Sequence, residues 1–193
     1  MRANNDPSNP LMEERLKHTL GLVIDFVKFA EAKNAALLAA NSVLIVGILQ
    51  ACSARPHLAT WLCYYVSYLL FFLSLSVLVA LISFMPLTMF PLLRLSGVPS
   101  PDDNLVFFGD IAKYDVPLYL ASLNEDPASP TEPTSRFHVD LAGQIIINAR
   151  IALRKYRCFS WALWLSLYGL ATPLVGLCVW LALCQSKKRR PNG

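Results

Sequence analysis

Three stretches of this chain carry no Asp, Glu, Lys or Arg: residues 34–54, 56–93 and 158–186, which are 21, 38 and 29 residues long. A helix rises about 1.5 Å per residue, so roughly 20 apolar residues cross a bilayer. The first run therefore predicts a span at 34–54 and the last a span at 158–184. The middle run has room for one span with an interfacial exit, or for two short spans in a hairpin. No polar turn interrupts 61–84, and Pro86 and Pro91 stand where a helix stops or kinks. One span at 61–84 is the expectation.

Outside these runs the pattern becomes amphipathic. Leu16, Leu20, Val23, Val27 and Ala30 recur at three- and four-residue steps, with Glu13, Glu14, Lys17, Asp25 and Lys28 elsewhere. From Leu11 to residue 55 no proline intervenes, so one long helix is expected, amphipathic up to residue 33 and membrane-embedded beyond it. Segment 94–157 supplies the remaining soluble surface. It opens with the turn-rich LSGVPSPDDN. Next, Phe107-Phe108-Gly109 reads as a short strand or turn, followed by short helices interrupted by Pro117. The proline-rich 124–136 reads as a loop. Residues 138–157 form a strong helical run that flows into the last span. The predicted fold is an all-α membrane protein with three transmembrane helices. A small, mostly helical cytoplasmic segment lies between the second and third, and 185–193 forms a basic tail.

Composition agrees with this picture. The chain of 193 residues is 55% apolar and 16% charged, against about 25% charged in an ordinary soluble domain. Residues 1–33 lack the short apolar core and the cleavage site of a secretory signal, so the first span is expected to stay in the membrane. The positive-inside rule counts 12 basic residues in 1–33 and 94–157 against 5 on the other side, which places both segments in the cytoplasm. The tail Lys187, Lys188, Arg189 and Arg190 opposes that assignment. Segment 94–157 has seven basic and eight acidic residues, too balanced for nucleic acid. The five cysteines lack metal-site spacing and read as apolar filler.

Within the spans, small and polar residues repeat at sevens: Asn34 and Asn41, Ser67 and Ser74, Ser76 and Ser83, then Ala162, Gly169 and Gly176. Small stripes let helices approach closely in lipid. The amide of Asn41 needs a partner in hydrocarbon, either across helices or in a wet cavity. Pro173 removes a backbone bond in the last span and predicts a bend or hinge.

No catalytic motif is present: there is no glycine-rich phosphate loop, nucleophile elbow or His-Glu-x-x-His. The helix at 138–157 is the informative stretch. Asp140, Gln144 and Asn148 share one face at four-residue steps, a line suited to a base edge and ribose. Arg150, Arg154 and Arg157 form another line, with Lys155 beside it. Such a cluster suits a phosphate, and equally suits the ordinary cationic flank of a span.

Three stretches carry a family resemblance: FVKFAEAKNAALLAANSVLI (26–45), NLVFFGDIAKYDVPLYLASL (104–123) and DLAGQIIINARIALRKYR (140–157). Together they resemble the membrane effector of Pycsar, a bacterial anti-phage system, over about residues 15–184. Phe26 and Ala30-Glu31 depart mildly from the family pattern, which has Trp and Ala-Asp there. The resemblance implies a multi-pass protein of the bacterial inner membrane. It also implies a partner cyclase that makes a cyclic pyrimidine mononucleotide, cyclic CMP or cyclic UMP, on infection. The effector binds this messenger and compromises the membrane, so the infected cell dies. Phe108, Gly109, Asp110, Asp140, Gln144, Asn148, Arg154 and Lys155 are the candidate ligand-binding positions. Gly109 as a plain turn, and Asp110 as a helix cap, are the bland alternatives. A single chain has too few spans for a wide pore, so a homo-oligomer is expected. Two rival classes stay open: a constitutive ion channel or transport subunit, and a membrane scaffold without nucleotide ligand.

Overall fold

The structure is a computed structural model that describes residues 10–54, 59–85, 97–124 and 135–188, with side chains in the last stretch up to Thr172 and at Val175 and Gly176. Among the described residues five helices follow one another: α1 Pro10–Ser53, α2 Thr60–Ile82, α3 Phe108–Ile111, α4 Val116–Asn124 and α5 Arg136–Lys188. No strand occurs among the described residues. The chain divides into two compact units. One comprises residues 1–33 and 84–157, the other 34–83 and 158–193. The long helices α1 and α5 contribute residues to both.

The first unit is a small helical body with an ordinary apolar core. The first half of α1 turns Met12, Leu16, Val23 and Ala30 inward, with Leu20, Phe26 and Val27 packed beside them. The helix begins at Pro10, a first-turn position where the missing N–H costs nothing. Along α5, Ala142, Ile145, Ile146, Ala149 and Ala152 make a buried stripe at helical spacing. Small alanines alternate there with isoleucines, so α3 and α4 approach closely. α4 adds Tyr119, Leu120 and Leu123.

Local capping explains where these helices start. Asp115 caps α4: its carboxylate accepts the Leu118 N–H at 3.0 Å. Pro117 therefore sits in the first turn of α4 and starts that helix rather than interrupting it. Ser135 caps α5, its hydroxyl accepting the His138 N–H at 3.3 Å, while His138 Nδ1 accepts the Ser135 N–H at 3.4 Å. This is a reciprocal capping box with His in the place usually held by Glu or Gln. The strand or turn expected at Phe107-Phe108-Gly109 is corrected as well. Phe107 is extended, but a helical turn begins at Phe108, because the Asp110 and Ile111 N–H groups both bond the Phe107 carbonyl at 3.0 Å.

The second unit reverses the usual arrangement, with polar groups inside and large apolar groups outside. Among the described residues two helices, α1 and α2, are long and apolar enough to cross a membrane, yet only 6% and 22% of their apolar windows are buried. A soluble core helix would be mostly buried. α2 is unbroken from Thr60 to Ile82, with no hairpin turn inside it. Its buried stripe is Leu69, Leu73, Ser76 and Ala80. Trp61, Tyr64, Phe71 and Leu78 face outward, as do Trp161, Trp164 and Tyr168 on α5.

At the centre of this unit lies a clasp of three side chains, one from each helix. The Asn41 amide donates to Ser76 Oγ at 2.8 Å and to Ser166 Oγ at 2.9 Å. Ser76 Oγ donates to the Ala162 carbonyl at 2.6 Å. The Asn41 amide thus bonds across helices and is buried within one chain. Gly169 is packed as closely: a Cβ added there would meet Phe72 Cβ at 3.1 Å. Ser67 and Ser74 face outward on α2, and a Cβ at Gly176 would meet open space. The expected serine stripes therefore split, Ser76 and Ser83 inward and Ser67 and Ser74 outward. The helical backbone of α5 runs through residue 173, and the Pro173 side chain lies outside the described residues. So do Pro86, Pro91, most of the 124–136 loop and the end of the basic tail.

Asn41→Ala removes the inter-helix bonds to Ser76 and Ser166, and each such bond in a membrane protein averages about 0.6 kcal/mol. The detergent-solubilised variant should unfold at a lower temperature than wild type, and Gly169→Leu should destabilise by about 1–3 kcal/mol through overpacking. Circular-dichroism melts measure both.

Candidate functional site

The candidate residues fall into separate environments. Asp140 and Gln144 are exposed on α5, and Asn148 is half-buried, its amide donating to its own helix at the Gln144 carbonyl at 2.8 Å. Arg154 and Lys155 are buried. The axial rise from Asp140 to Lys155 is about 22 Å, too far for one mononucleotide to touch both. Gln144, Asn148 and Lys155 lie on one face, because steps of seven and eleven residues return nearly to the same direction.

Phe108 belongs to the core. Its ring stacks on Tyr156 with centroids 5.0 Å apart and planes at 16°, and it packs against Phe26 and Phe107. Gly109 is explained by a close approach: a Cβ there would lie 2.5 Å from the Phe107 ring. Asp110 does not cap the following helix. Its carboxylate accepts the Asn104 N–H at 3.2 Å and pairs with Lys113 at 2.7 Å.

That pairing opens onto a network absent from the expected site. Lys113 Nζ also reaches Asp103 at 2.7 Å, and Asp103 accepts the Ser100 N–H at 2.9 Å. Tyr114 donates to the Ser100 carbonyl at 3.1 Å, and Tyr119 to the Leu105 carbonyl at 2.9 Å. The hydrogen bond from Lys113, reinforced by the Ser100 N–H, holds the Asp103 carboxyl below the usual carboxylate range. The bonds to Asp103 and Asp110 push Lys113 up. Burial raises both Tyr114 and Tyr119. Beside this network runs an open groove of ≈ 480 Å³, lined by Pro99, Pro101, Leu105, Leu118 and the polar Ser100, Asp103, Tyr114 and Ser122. The residues are visible in the sequence as a turn-rich linker. Nothing in their spacing joins residues 100–103 to residue 113.

The cationic line on α5 is divided in its roles. Arg150 ties α5 to the end of α3, its Nε and Nη2 donating to the Ala112 and Tyr114 carbonyls at 3.2 and 2.8 Å. Lys155 pairs with Glu31 of α1 at 3.1 Å and lies 5.4 Å from the Phe84 ring centre. One ammonium thus joins α1, α5 and the residues just after α2, all within the first unit. Glu31 is half exposed, and the Lys155 side chain is only 11% exposed. Among the described residues no group of His, Cys, Asp or Glu is placed to hold a metal ion.

A charged helical body built on the same long helices as an apolar, inside-out bundle defines an all-helical membrane protein. Residues 15–183 match the family model described as the Pycsar effector protein domain. The chain is also 35% identical to the Pycsar effector protein RsPycTM of a Rhizobium species, over 79% of this chain and 87% of that protein. No solved structure matches. The chain belongs to the Pycsar effector family, and its role is that of a membrane effector in anti-phage defence. Both names are those of an effector and neither is that of a catalyst.

The pH dependence of the Asp103–Lys113 pair follows from the directions of its shifts. Asp103 titrates below its usual 3.8 when folded, so the stability it contributes is complete above that value and is lost as acid carries the pH through the lowered one. Lys113 titrates above its usual 10.5, so its share is complete below that value and is lost as alkali carries the pH through the raised one. Asp103→Asn should melt below wild type at neutral pH, and the gap should close as the pH falls through the Asp103 transition. Melts over a pH series read this directly.

Proposed function

We propose that this protein is a messenger-gated membrane disruptor: it binds cyclic CMP or cyclic UMP made by a partner cyclase, and in response breaches the inner membrane and kills the infected cell. In this reading it spans the membrane three times, at the apolar parts of α1, α2 and α5, with residues 1–33 and 94–157 in the cytoplasm, and it works as a homo-oligomer.

The observation that carries the mechanism is the Lys155–Glu31 pair. Glu31 occupies, from within, the position that an anionic phosphate would take from outside. A cyclic phosphate is a monoanion, and a carboxylate on a half-exposed side chain is a displaceable competitor. Displacement exchanges a contact between α1 and α5 for a contact with the ligand, so ligand and closed state compete for one cation. That is the differential affinity a ligand needs to shift an equilibrium. Asn148, about 10 Å along the axis and on the same face, is in reach of the base or ribose, with Gln144 a turn further. Arg154 adds positive potential next to Lys155. Asp140 stands outside this set, and the core positions Phe108 and Gly109 support Tyr156 and the α3 turn rather than touch ligand.

A constitutive pore would use a strongly polar side chain open to a lumen. The Asn41 amide is instead spent on Ser76 and Ser166, which favours the gated reading.

Dye-loaded proteoliposomes test it. Cyclic CMP or cyclic UMP should release dye from wild type, and failure of both would overturn the reading. Lys155→Ala should lose the response, Asp140→Ala should keep it, and Glu31→Gln should leak at lower messenger concentration or with none.

A further inference from the structure

Lys155 has a second neighbour besides Glu31. The chain leaves α2 at Ile82, buries Ser83 and then presents the Phe84 side chain, 45% exposed. Phe84 belongs to the first unit, as do Glu31 and Lys155, yet it is not among the residues of that unit's apolar core. Its ring centre lies 5.4 Å from Lys155 Nζ, and the same Nζ lies 3.1 Å from the Glu31 carboxylate. A buried cation, a replaceable carboxylate and a half-exposed aromatic ring therefore meet within the reach of one mononucleotide.

The cation and the ring suit different parts of such a ligand. An ammonium takes a phosphate as a point charge. Every base has a flat π face, and aromatic side chains receive it by stacking, whichever base it is. We infer that Phe84 is a base-stacking residue: the messenger's phosphate takes Lys155 from Glu31 while its pyrimidine lies against the Phe84 ring. This rests on the messenger reading and names what holds the base. Stacking acts on the face of a base and not on its edge, so Phe84 supplies affinity without choosing between cytosine and uracil. That choice falls to hydrogen-bonding groups. An aromatic ring just past the end of α2 would equally suit a bilayer interface, but a ring with that role alone would leave nucleotide binding untouched.

The test is equilibrium binding of cyclic CMP and cyclic UMP to the full chain in detergent, alongside a base-free ribose cyclic phosphate. Wild type should bind at least one of the nucleotides; if it binds neither, the messenger reading falls and this inference falls with it. Phe84→Leu should weaken nucleotide binding by about tenfold or more, the scale of one base stack, and by the same factor for both where both bind. Phe84→Tyr should stay close to wild type. Phe84→Trp should show indole emission quenched by the nucleotide beyond any change in wild type. Unchanged affinity in Phe84→Leu would overturn the inference and leave the messenger reading standing. An equal loss for the base-free phosphate would also overturn it, because the ring would then serve only to hold Lys155 in place. Should Phe84→Leu not fold, the affinity of Phe84→Tyr and the quenching in Phe84→Trp decide the matter.

Discussion

A bilayer offers no water to a polar group, and the second unit is organised around that constraint. The backbone satisfies itself by being helical. The side chains that are not apolar must find each other, and Asn41, Ser76 and Ser166 do so at a point where all three helices meet. Small residues around the clasp, Ala162 and Gly169 among them, make the approach short enough for those bonds. Burying polar atoms centrally leaves the large side chains for the outside, where lipid is their solvent. The inverted exposure pattern of α1 and α2 is the same fact seen from the surface.

The first unit is packed by the opposite rule. Its core is apolar, and its polar groups act as fasteners at the edges: Asp115 and Ser135 start helices, Arg150 gathers the carbonyls of Ala112 and Tyr114, and Lys113 bridges two aspartates. Lys155 is the exception. It is a charge drawn inside and paired with the half-exposed Glu31, and the cost of burying it makes its choice of partner consequential. A fastener that merely sits on a surface is worth little, while a buried cation whose counter-ion is replaceable has two alternatives to choose between.

What is legible in the sequence is whatever a period or a run encodes. The charge-free stretches mark α1 and α2, the spacing of Leu16, Val23 and Ala30 marks the inner face of α1, and the proline-free run 138–157 marks the first part of α5. The Asn41 amide announces its need for partners, though not which ones, since Ser166 lies 125 residues away. The strand or turn expected at Phe107-Phe108-Gly109 gives way to a helical turn because apolar pairs are ambiguous over so short a window, and Phe108 packs on Tyr156 from that turn. Pro117 misleads when read alone, because only the Asp115 cap two positions earlier makes it a first-turn residue. The Asp103–Lys113–Asp110 bridge is illegible for a plainer reason: it joins a turn to a helix through side chains, and no periodicity records such a meeting. Grouping Asp140 with Lys155 overlooks the length of the helix that separates them.

The clasp also bears on how the protein is made. Its three members arrive in order from the ribosome: the amide first, one hydroxyl with α2, and the last only when most of the chain has been synthesised. Until then the early pair of helices holds an amide whose second partner does not yet exist, in an environment without water to stand in for it. The half-built bundle is thus chemically incomplete, and the closing helix finds its register by fitting the one polar vacancy left open to it. Loss of the final segment during translation would leave that vacancy unfilled.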